Sequence, residues 1–383
     1  MPYDFDTIYD RSATGSYKWT KYPADVLPMW VADMDFRVAP VIEAAVRRRA
    51  DTLIYGYTHP PMALREQIVA DMAERYAWHI KPEDILFMPG VVPGFNLAID
   101  ANLEPGDGLA IQVPVYPPIF RAPQRWRMTP VEDGFADNGG PGWQVDFDSF
   151  GRAMGQSKAF LLSNPHNPLG KVFTQQELEA MATACLANGT LILSDEIHCD
   201  LLFTGQRHIP MASLAPEIAQ RTITLMSAGK TYNIAGLKAC WLIIQNPELR
   251  TRMANAIAGV ADGVNMFGLD ATLAALKDGG DWKQALMVYL EANRDHLAMR
   301  VARDLPGVSM KLPEATYLAW LDCRALGLQE EAYDFFLREA KVGMNPGLDF
   351  GPQGAGHVRL NFGCPRATLD QALDRMAAAI QRR

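Results

Sequence analysis

Three polar segments of the sequence carry side chains that can bind and activate a small molecule. They are Asn164–Gly170 (NPHNPLG), Ser194–His198 (SDEIH) and Ser227–Lys238 (SAGKTYNIAGLK). Lys230 lies among small polar residues between two apolar runs, whereas most lysines are solvated surface charges. Partly dry surroundings lower the pKa of an amine, and a neutral amine attacks aldehydes. The third segment therefore indicates either a nucleophilic lysine or an ordinary surface charge.

The other two segments permit structural interpretations beside the chemical ones. The acidic pair Asp195-Glu196 can bind a metal, act as a general base or cap a helix, and capping is a common use of aspartate. Two Asn-Pro steps, at Asn164 and Asn167, force a rigid non-helical loop. This loop is either a plain turn or a support that directs the Asn167 amide toward a ligand. Each segment taken alone leaves its role open.

A predicted strand precedes each of the three segments. Short apolar runs alternate with amphipathic helical patterns along the chain, which is typical of an α/β protein. Ligands bind at the carboxyl ends of the strands in an open α/β sheet, so the three segments are expected to meet there. A helix with a capping box is predicted at Thr174–Asn188. The predicted strands are Leu109–Val113, Ala159–Ser163, Thr190–Ser194, Thr222–Met226 and Cys240–Ile244.

The last hundred residues change character and predict a second, smaller domain. A long helix from about Asp281 precedes a strand at Thr316–Asp322, a further helix and a strand at His357–Asn361. We assign residues 46–282 to a large domain with a mixed, mostly parallel sheet, and residues 1–45 plus 283–383 to a smaller α+β domain. A chain of 383 residues is long enough for two such domains.

Composition and charge exclude several classes of protein. The net charge is −8, so a nucleic acid is not an expected partner. Five widely spaced cysteines without a CxxC pair argue against a disulfide framework and against a zinc site. The amino terminus lacks the pattern of a signal peptide, and no apolar run reaches the roughly 18 residues of a membrane span. We therefore expect a soluble cytoplasmic protein with reduced thiols and no bound metal.

Together the three segments meet the requirements of pyridoxal 5′-phosphate (PLP) chemistry. This cofactor needs a lysine for its aldehyde, a carboxylate for its pyridinium nitrogen and donors for its phosphate. The carboxylate keeps the ring nitrogen protonated, so that the ring accepts electrons from a substrate carbanion. Lys230 and Asp195 follow two different predicted strands and are therefore expected to contact one ring from opposite sides.

The order of these segments resembles the fold-type I aminotransferase superfamily (class I and II) of PLP enzymes. Further stretches resemble its cystathionine β-lyase branch, of the MalY and PatB type, and the similarity extends from about Asp4 to the carboxyl terminus. It implies the PLP-dependent transferase fold of type I, an α/β fold with the large and small domains given above. These further stretches are Trp30–Phe36, Tyr55–Tyr57, Pro313–Trp320 and Arg359–Arg366.

The resemblance implies a role for each residue around the cofactor ring. Lys230 binds the cofactor aldehyde covalently and then moves protons at the substrate Cα. Asp195 pairs with the pyridinium nitrogen. Asn167 and His198 approach the 3′-oxygen of the ring, and Tyr116 stacks on the ring face. All five are expected to line one cavity.

The resemblance also implies how the phosphate and the substrate are bound. Backbone N–H groups at the start of a helix expected near Pro93 meet the phosphate, since helix amino termini attract anions. The phosphate-binding residues are Val91, Val92, Ser227, Lys238 and, from a neighbouring subunit, Tyr57, which makes a homodimer part of the prediction. The substrate-binding residues are Arg359, which suits an α-carboxylate through bidentate pairing, and Asp33, Asn167 and Tyr116.

Three functions are compatible with these residues. The resemblance to the β-lyase branch favours cleavage of L-cystathionine or related L-cysteine S-conjugates to pyruvate, ammonia and a thiol. An aminotransferase, which moves an amino group between an L-amino acid and a 2-oxo acid, is the alternative. A PLP-binding regulator without turnover is disfavoured, because only about forty residues precede the large domain and their acidic pattern does not suit DNA.

Overall fold

A computed structural model describes residues 3–136, 140, 142–261 and 263–383. Within that part of the chain, helices and strands alternate as an α/β protein requires. The strands are β1 Leu27–Pro28, β2 Ile85–Met88, β3 Gly108–Val113, β4 Thr129–Ala136, β5 Gln144–Val145, β6 Ala159–Ser163, β7 Leu191–Asp195, β8 Thr222–Met226, β9 Cys240–Ile243, β10 Ser309–Met310, β11 Leu318–Asp322, β12 Val342–Gly343, β13 Asn345–Pro346 and β14 His357–Asn361. The helices are α1 Tyr17–Thr20, α2 Pro40–Ala50, α3 Met62–Tyr76, α4 Val91–Asn102, α5 Pro117–Phe120, α6 Ala122–Arg125, α7 Phe147–Met154, α8 Gln175–Asn188, α9 Pro216–Ala219, α10 Pro247–Ile257, α11 Met266–Asp278, α12 Gly280–Asp304, α13 Ala332–Phe335 and α14 Arg366–Gln381.

The largest sheet has eight strands in the order β2-β9-β8-β7-β6-β3-β4-β5 among the described residues. Its centre, from β8 to β4, is parallel, and the pairs β8–β9, β2–β9 and β4–β5 are antiparallel. Every residue of β6 and β8 is buried, because apolar clusters cover both faces of the sheet, as is usual for parallel strands. This sheet confirms the predicted mixed, mostly parallel α/β architecture.

A smaller antiparallel sheet, in the order β10-β11-β14-β13, packs with the long helix α12 and the final helix α14. The amino-terminal segment contributes Phe5, Leu27 and Met29 to the same apolar core. This core also includes Leu201 and Tyr232 from the region of the large sheet, so the apolar clusters do not mark a boundary between the two domains. The exact domain boundaries therefore remain a prediction.

Most of the predicted elements have the expected type, and their ends differ by a few residues. The helix expected near Pro93 begins at Val91, so its first turn includes both valines assigned to the phosphate. Strand β7 ends at Asp195, one residue later than expected. Strand β11 begins at Leu318, because Thr316 has a left-handed backbone conformation (φ 72°) that a strand does not accommodate.

No helix of the described residues combines the length and the apolar composition that a membrane crossing requires.

Candidate active site

Four neighbouring parallel strands bring the predicted residues to one edge of the large sheet. Tyr116 and Asn167 follow β3 and β6, Asp195 ends β7, and Lys230 follows β8. All four residues line a cavity of about 410 Å³. Its lining residues are Ala32, Pro89, Gly90, Val91, Val92, Pro93, Tyr116, Ser163, Asn167, Asp195, Ile197, His198, Ser227, Lys230, Ala235, Lys238 and Ala239.

The amine of Lys230 faces this cavity and donates a hydrogen bond of 2.6 Å to the Ala32 carbonyl. Burial lowers the pKa of the amine to about 8, and the positive charge of Arg359 acts in the same direction. The carboxylates of Asp33 and Asp195 act in the opposite direction, but they do not offset the lowering of the pKa. A useful fraction of the amine is therefore neutral near neutral pH, as a nucleophile or a general base requires.

The side chain of Asp195 is buried, and the backbone N–H of Ile197 donates to its Oδ1 at 3.2 Å. Burial raises the pKa of this carboxyl to about 7, because the Ile197 bond and the distant Lys230 charge compensate little of the lost hydration. Asp195 makes no ion pair with any residue that the structure describes. A protonated nitrogen in the ring of a bound cofactor would supply the positive charge that the described residues do not place beside Asp195.

The neighbouring acid, Glu196, belongs to a different environment. Its Oε1 accepts hydrogen bonds from Ser194 Oγ (2.8 Å) and from the Met211 N–H (3.0 Å), and its Oε2 lies 2.8 Å from Nε2 of the buried His208. The acidic pair of the sequence is thus split between a ligand cavity and the protein interior. The described residues contain no cluster of three or more acidic, histidine or cysteine side chains with the geometry of a metal site.

Asn167 connects the cavity to Arg359. The Arg359 guanidinium donates to Asn167 Oδ1 (2.9 Å), to Asn345 Oδ1 (2.7 Å) and to the Trp30 carbonyl (3.1 Å). All these acceptors are neutral, Nε has no partner in the described part of the chain, and burial lowers the Arg359 pKa to about 10. A buried guanidinium without a carboxylate partner in the described structure is suited to bind the carboxylate of a ligand.

His198 and Tyr116 form further walls of the same cavity. Burial and the charges of Lys230 and Arg359 lower the His198 pKa to about 3, so its imidazole is neutral. Its Nδ1 is buried and has no hydrogen-bond partner among the residues that the structure describes. A neutral imidazole with an unused ring nitrogen can bond to a polar ligand atom beside it. Tyr116 is partly buried, and burial raises the pKa of its phenol, which therefore stays protonated.

The cavity lining also offers groups for an anion. Helix α4 begins at Val91, after Gly90, and its first N–H groups have no partner within the helix. The exposed Lys238 adds a positive charge at the same wall. The Ser227 hydroxyl donates to the Ala239 carbonyl (2.7 Å) and accepts from the Gly229 N–H (3.0 Å). Ser227 therefore fixes the loop that carries Lys230 as well as lining the cavity.

Three predicted site residues, Arg359, Asp33 and Tyr57, are not among the residues that line the cavity, although Arg359 bonds to the lining residue Asn167. Asp33 is paired with Arg11 (2.9 Å), although its Oδ1 is buried without a partner and its charge acts on Lys230. Tyr57 is fully exposed beside Gly56 and Phe267, where it contributes nothing to this chain's own cavity. Sequence reasoning missed the Ala32 carbonyl and the Tyr317 hydroxyl, which bonds to the same oxygen at 3.0 Å. Tyr317 stands in a motif that was recognised, but residue types do not reveal which backbone oxygen a side chain meets.

The donor set of the cavity fits PLP. Lys230 can bind the aldehyde, the buried Asp195 can neutralise a ring cation, and the start of α4 with Lys238 can bind a phosphate. The unused Nδ1 of His198 is placed for a polar ring substituent. Among the described lining residues the one carboxyl is that of Asp195, whose pKa burial raises and which a ring cation would stabilise in its ionised form.

Comparison with known proteins gives consistent similarities along nearly the whole chain. The sequence matches the family model of aminotransferases of class I and II over residues 25–376. It is 36% identical to cystathionine β-lyase PatB of Bacillus subtilis, over 98% of this chain and 100% of that protein. The crystal structure of OvoB is 42% identical, with a TM-score of 0.94 over 99% of both chains. Cystalysin from Treponema denticola, which contains PLP, is 30% identical with a TM-score of 0.95 over 100% of both chains.

Proposed function

Because the chain belongs to the family of aminotransferases of class I and II, we propose that it is a PLP-dependent carbon–sulfur β-lyase. It cleaves L-cystathionine or related L-cysteine S-conjugates to pyruvate, ammonia and a thiol. The observation that carries this proposal is the convergence of the Lys230 amine and the Asp195 carboxyl on one cavity, with the unpaired Arg359 connected to it through Asn167. The resemblance to named cystathionine β-lyases selects β-cleavage among the reactions that such a site supports.

The residues of the cavity hold the cofactor at three points. Lys230 would bind its aldehyde, Asp195 would neutralise its ring nitrogen, and the amino terminus of α4 would bind its phosphate together with Lys238. Tyr116, Asn167 and His198 bind or cover the ring. When bound, PLP supplies an electron-poor ring that accepts the negative charge released when the substrate loses its Cα proton.

The substrate is oriented by Arg359 and deprotonated by Lys230. The guanidinium of Arg359 binds the α-carboxylate, and Asn167 keeps the guanidinium in place. With the cofactor bound, the Lys230 amine would take the proton from Cα, for which its lowered pKa keeps a useful fraction of it neutral. The Cβ–S bond then breaks with its electron pair on sulfur, and the thiol leaves protonated. One water molecule enters overall, and pyruvate and ammonia are released.

The test is the release of pyruvate and thiol from L-cystathionine by the purified PLP-bound enzyme without any added 2-oxo acid. We expect one pyruvate for each thiol. A strict requirement for a 2-oxo acid, with formation of a new amino acid, would identify an aminotransferase instead. Borohydride reduction followed by peptide mapping is expected to fix the cofactor on Lys230 and on no other lysine.

We also propose that the enzyme is a homodimer in which Tyr57 binds the phosphate in the neighbouring subunit. The segment around Tyr57 exposes an unusual number of large apolar side chains for a surface that stays in water. These side chains are Leu53, Ile54, Tyr55, Tyr57 and Met62. Their exposure supports burial against a second copy of the chain.

Hybrid dimers test this arrangement directly. Lys230→Ala subunits and Tyr57→Ala subunits are each expected to form poorly active dimers. A hybrid dimer restores one intact site, so random mixing is expected to recover about a quarter of wild-type activity. No recovery after subunit exchange, verified by differently tagged subunits, would place Tyr57 outside the partner's site.

We propose the cytoplasm as the place of action. The five cysteines are buried free thiols, a state that a reducing compartment maintains. Cell fractionation is expected to find the activity with cytoplasmic marker enzymes.

A further inference from the structure

The backbone carbonyl of Ala32 accepts two hydrogen bonds from functional side chains. The Lys230 amine donates to it at 2.6 Å, and the Tyr317 hydroxyl donates to it at 3.0 Å. Asn361 fixes the position of this carbonyl, because its Nδ2 donates to the carbonyls on both sides, Val31 (2.6 Å) and Asp33 (2.7 Å). The oxygen that holds the lysine is therefore rigidly placed.

Thr316, the residue before Tyr317, has a strained backbone conformation, and hydrogen bonds from the surrounding structure hold this segment in place. Thr316 is β-branched and buried, yet its φ is 72°, a conformation that β-branched residues rarely adopt. The surrounding structure enforces it, since the Thr316 N–H donates to the Leu201 carbonyl (2.8 Å) and the Ala315 N–H to the Gly170 carbonyl (3.0 Å). Tyr317 itself is almost fully buried, and its ring meets the His198 ring edge-on.

We propose that Tyr317 is a positioning residue that lowers the basicity of the free Lys230 amine by sharing the Ala32 carbonyl with it. This inference rests on the proposed role of Lys230 as the base that removes the substrate Cα proton. Two donors on one carbonyl oxygen weaken each other, because each withdraws electron density from the same acceptor. The charged ammonium loses more by this competition than the neutral amine, so the Tyr317 hydroxyl favours the neutral form.

The contribution of Tyr317 to the Lys230 pKa can be measured separately from the effects of the charged groups around Lys230. Asp33 and Asp195 favour the ammonium, whereas Arg359 and Lys238 oppose it. His198 is neutral, and burial raises the pKa of the Tyr317 phenol far above its ordinary value, so the phenol stays a donor. Replacement of Tyr317 by phenylalanine removes a donor without changing any charge. The Ala32 carbonyl keeps the lysine as its partner, so no buried acceptor is left unsatisfied.

The experiment measures the pKa of Lys230 in the cofactor-free protein by competitive acetylation with acetic anhydride across pH, quantified by peptide mass spectrometry. Tyr317→Phe is expected to raise the Lys230 pKa by about half a unit to one unit. Tyr317→3-fluorotyrosine, which makes the hydroxyl a stronger donor, is expected to lower it. An unchanged pKa in both variants, or shifts of the opposite sign, would overturn the inference.

Two matched variants control for structural effects. Tyr289→Phe removes the hydroxyl of another buried tyrosine, which donates to the exposed Asp6 (2.7 Å), and is expected to leave the Lys230 pKa unchanged. Thr316→Gly accepts the positive φ without strain and keeps the Tyr317 hydroxyl, so it is also expected to leave this pKa unchanged. A shift as large in either control as in Tyr317→Phe would show a structural cause and overturn the inference.

The PLP-bound enzyme supplies a second measurement. The acidic limb of the kcat profile against pH is expected to move upward in Tyr317→Phe by the same amount as the pKa in the cofactor-free protein. A limb that does not move would exclude this role during turnover. The cofactor-free measurement needs no substrate, so a failure of the proposed lyase reaction would leave it interpretable.

Discussion

Asp195 and Asp200 lie five residues apart and both side chains are buried, but burial has opposite results for them. The Asp195 carboxyl faces the cavity without an ion-pair partner in the described structure, and its pKa rises to about 7. Asp200 binds Arg75 and, at 3.0 Å, Lys283, and these cations lower its pKa to about 2. The difference lies in the partners and not in the depth of burial.

We call Asp195, Lys230 and Arg359 the open cluster, because their charges have no ion-pair partners within the described chain. Asp200, Arg75 and Lys283 form the closed cluster, in which the carboxylate pairs with both cations. Unpaired buried charges destabilise a fold, whereas perturbed pKa values are common at functional sites. We infer that the open cluster serves to bind a ligand, whereas the closed cluster stabilises the fold.

The largest expected effect separates the two lysines. Lys230→Ala removes the group that takes the Cα proton, so we expect kcat to fall at least about 1,000-fold while the protein still folds. Lys283→Ala serves as the control, because it removes a lysine from the closed cluster and is expected to leave kcat within about twofold. The measurement is thiol release at saturating L-cystathionine, with circular dichroism to verify folding. Comparable losses in both variants would erase the distinction between the clusters.

The next effect separates the two aspartates by stability. Asp200→Asn leaves Arg75 and Lys283 without their counter-charge, so we expect the free energy of unfolding to fall by about 2–4 kcal/mol. Asp195→Asn removes a buried charge that has no ion-pair partner among the described residues, and the cofactor-free protein is expected to become no less stable. Urea unfolding of the cofactor-free proteins near pH 8 measures both. Equal destabilisation by the two variants would show that Asp195 has a structural partner.

A smaller effect distinguishes the two arginines. Arg359→Lys replaces a planar guanidinium by a point charge and is expected to lower kcat/KM by about 10- to 100-fold, mainly through KM. Arg75→Lys keeps a positive charge beside Asp200 and is expected to preserve kcat/KM, with a modest loss of stability. Steady-state kinetics with L-cystathionine provide the comparison. A normal KM in Arg359→Lys would assign the substrate carboxylate to another residue.

The sequence placed Asp195 and Lys230 of the open cluster near each other because clear apolar patterns mark the predicted strands before them, whereas Arg359, which lies inside β14, was assigned only through the resemblance. The strands Ala159–Ser163 and Thr222–Met226 have the predicted bounds, so Asn167 and Lys230 could be placed at one edge of the sheet. The closed cluster was not predicted, since Asp200, Arg75 and Lys283 come from distant parts of the chain and show no pattern. Their contact depends on how helices α3 and α12 pack, which local sequence does not specify.

Other features that the sequence did not reveal have either a local or a long-range origin. The strand Thr129–Ala136 was missed because its residues are mixed in polarity and only partly buried, so they show no apolar run. The pairing of Asp33 with Arg11 joins segments about twenty residues apart, and the assignment of Asp33 to the substrate stays a prediction. The bond from Tyr317 to the Ala32 carbonyl joins the two ends of the chain. Patterns within short windows reveal strands and helices, whereas contacts between distant segments require the fold.

The smallest effect is a difference in how stability depends on pH. The folded-state pKa of Asp195, about 7, exceeds the ordinary value of 3.8, so the folded protein holds a proton that the unfolded chain releases. Its contribution to stability is therefore lost as pH rises from about 4 to 7. His198 has the opposite effect in part of this range. Its folded-state pKa, about 3, lies below the ordinary value of 6.5. The free energy of unfolding therefore falls as pH falls below about 6.5, because the unfolded chain takes up a proton that the folded protein does not bind.

Comparison of wild type with Asp195→Asn removes the His198 contribution, which both proteins share. We expect the free energy of unfolding of the variant, relative to wild type, to increase with pH between about 4 and 7 by at most about 1.4 kcal/mol per pH unit. Asp200 has a lowered pKa, so its stabilisation is lost only as pH falls from about 4 toward 2. Asp200→Asn should therefore differ from wild type by a constant amount over the higher range. If the free energy of unfolding of Asp195→Asn also differed from that of wild type by a constant amount, the Asp195 carboxyl would already be ionised and paired in the folded protein. Asp195 would then not belong to the open cluster.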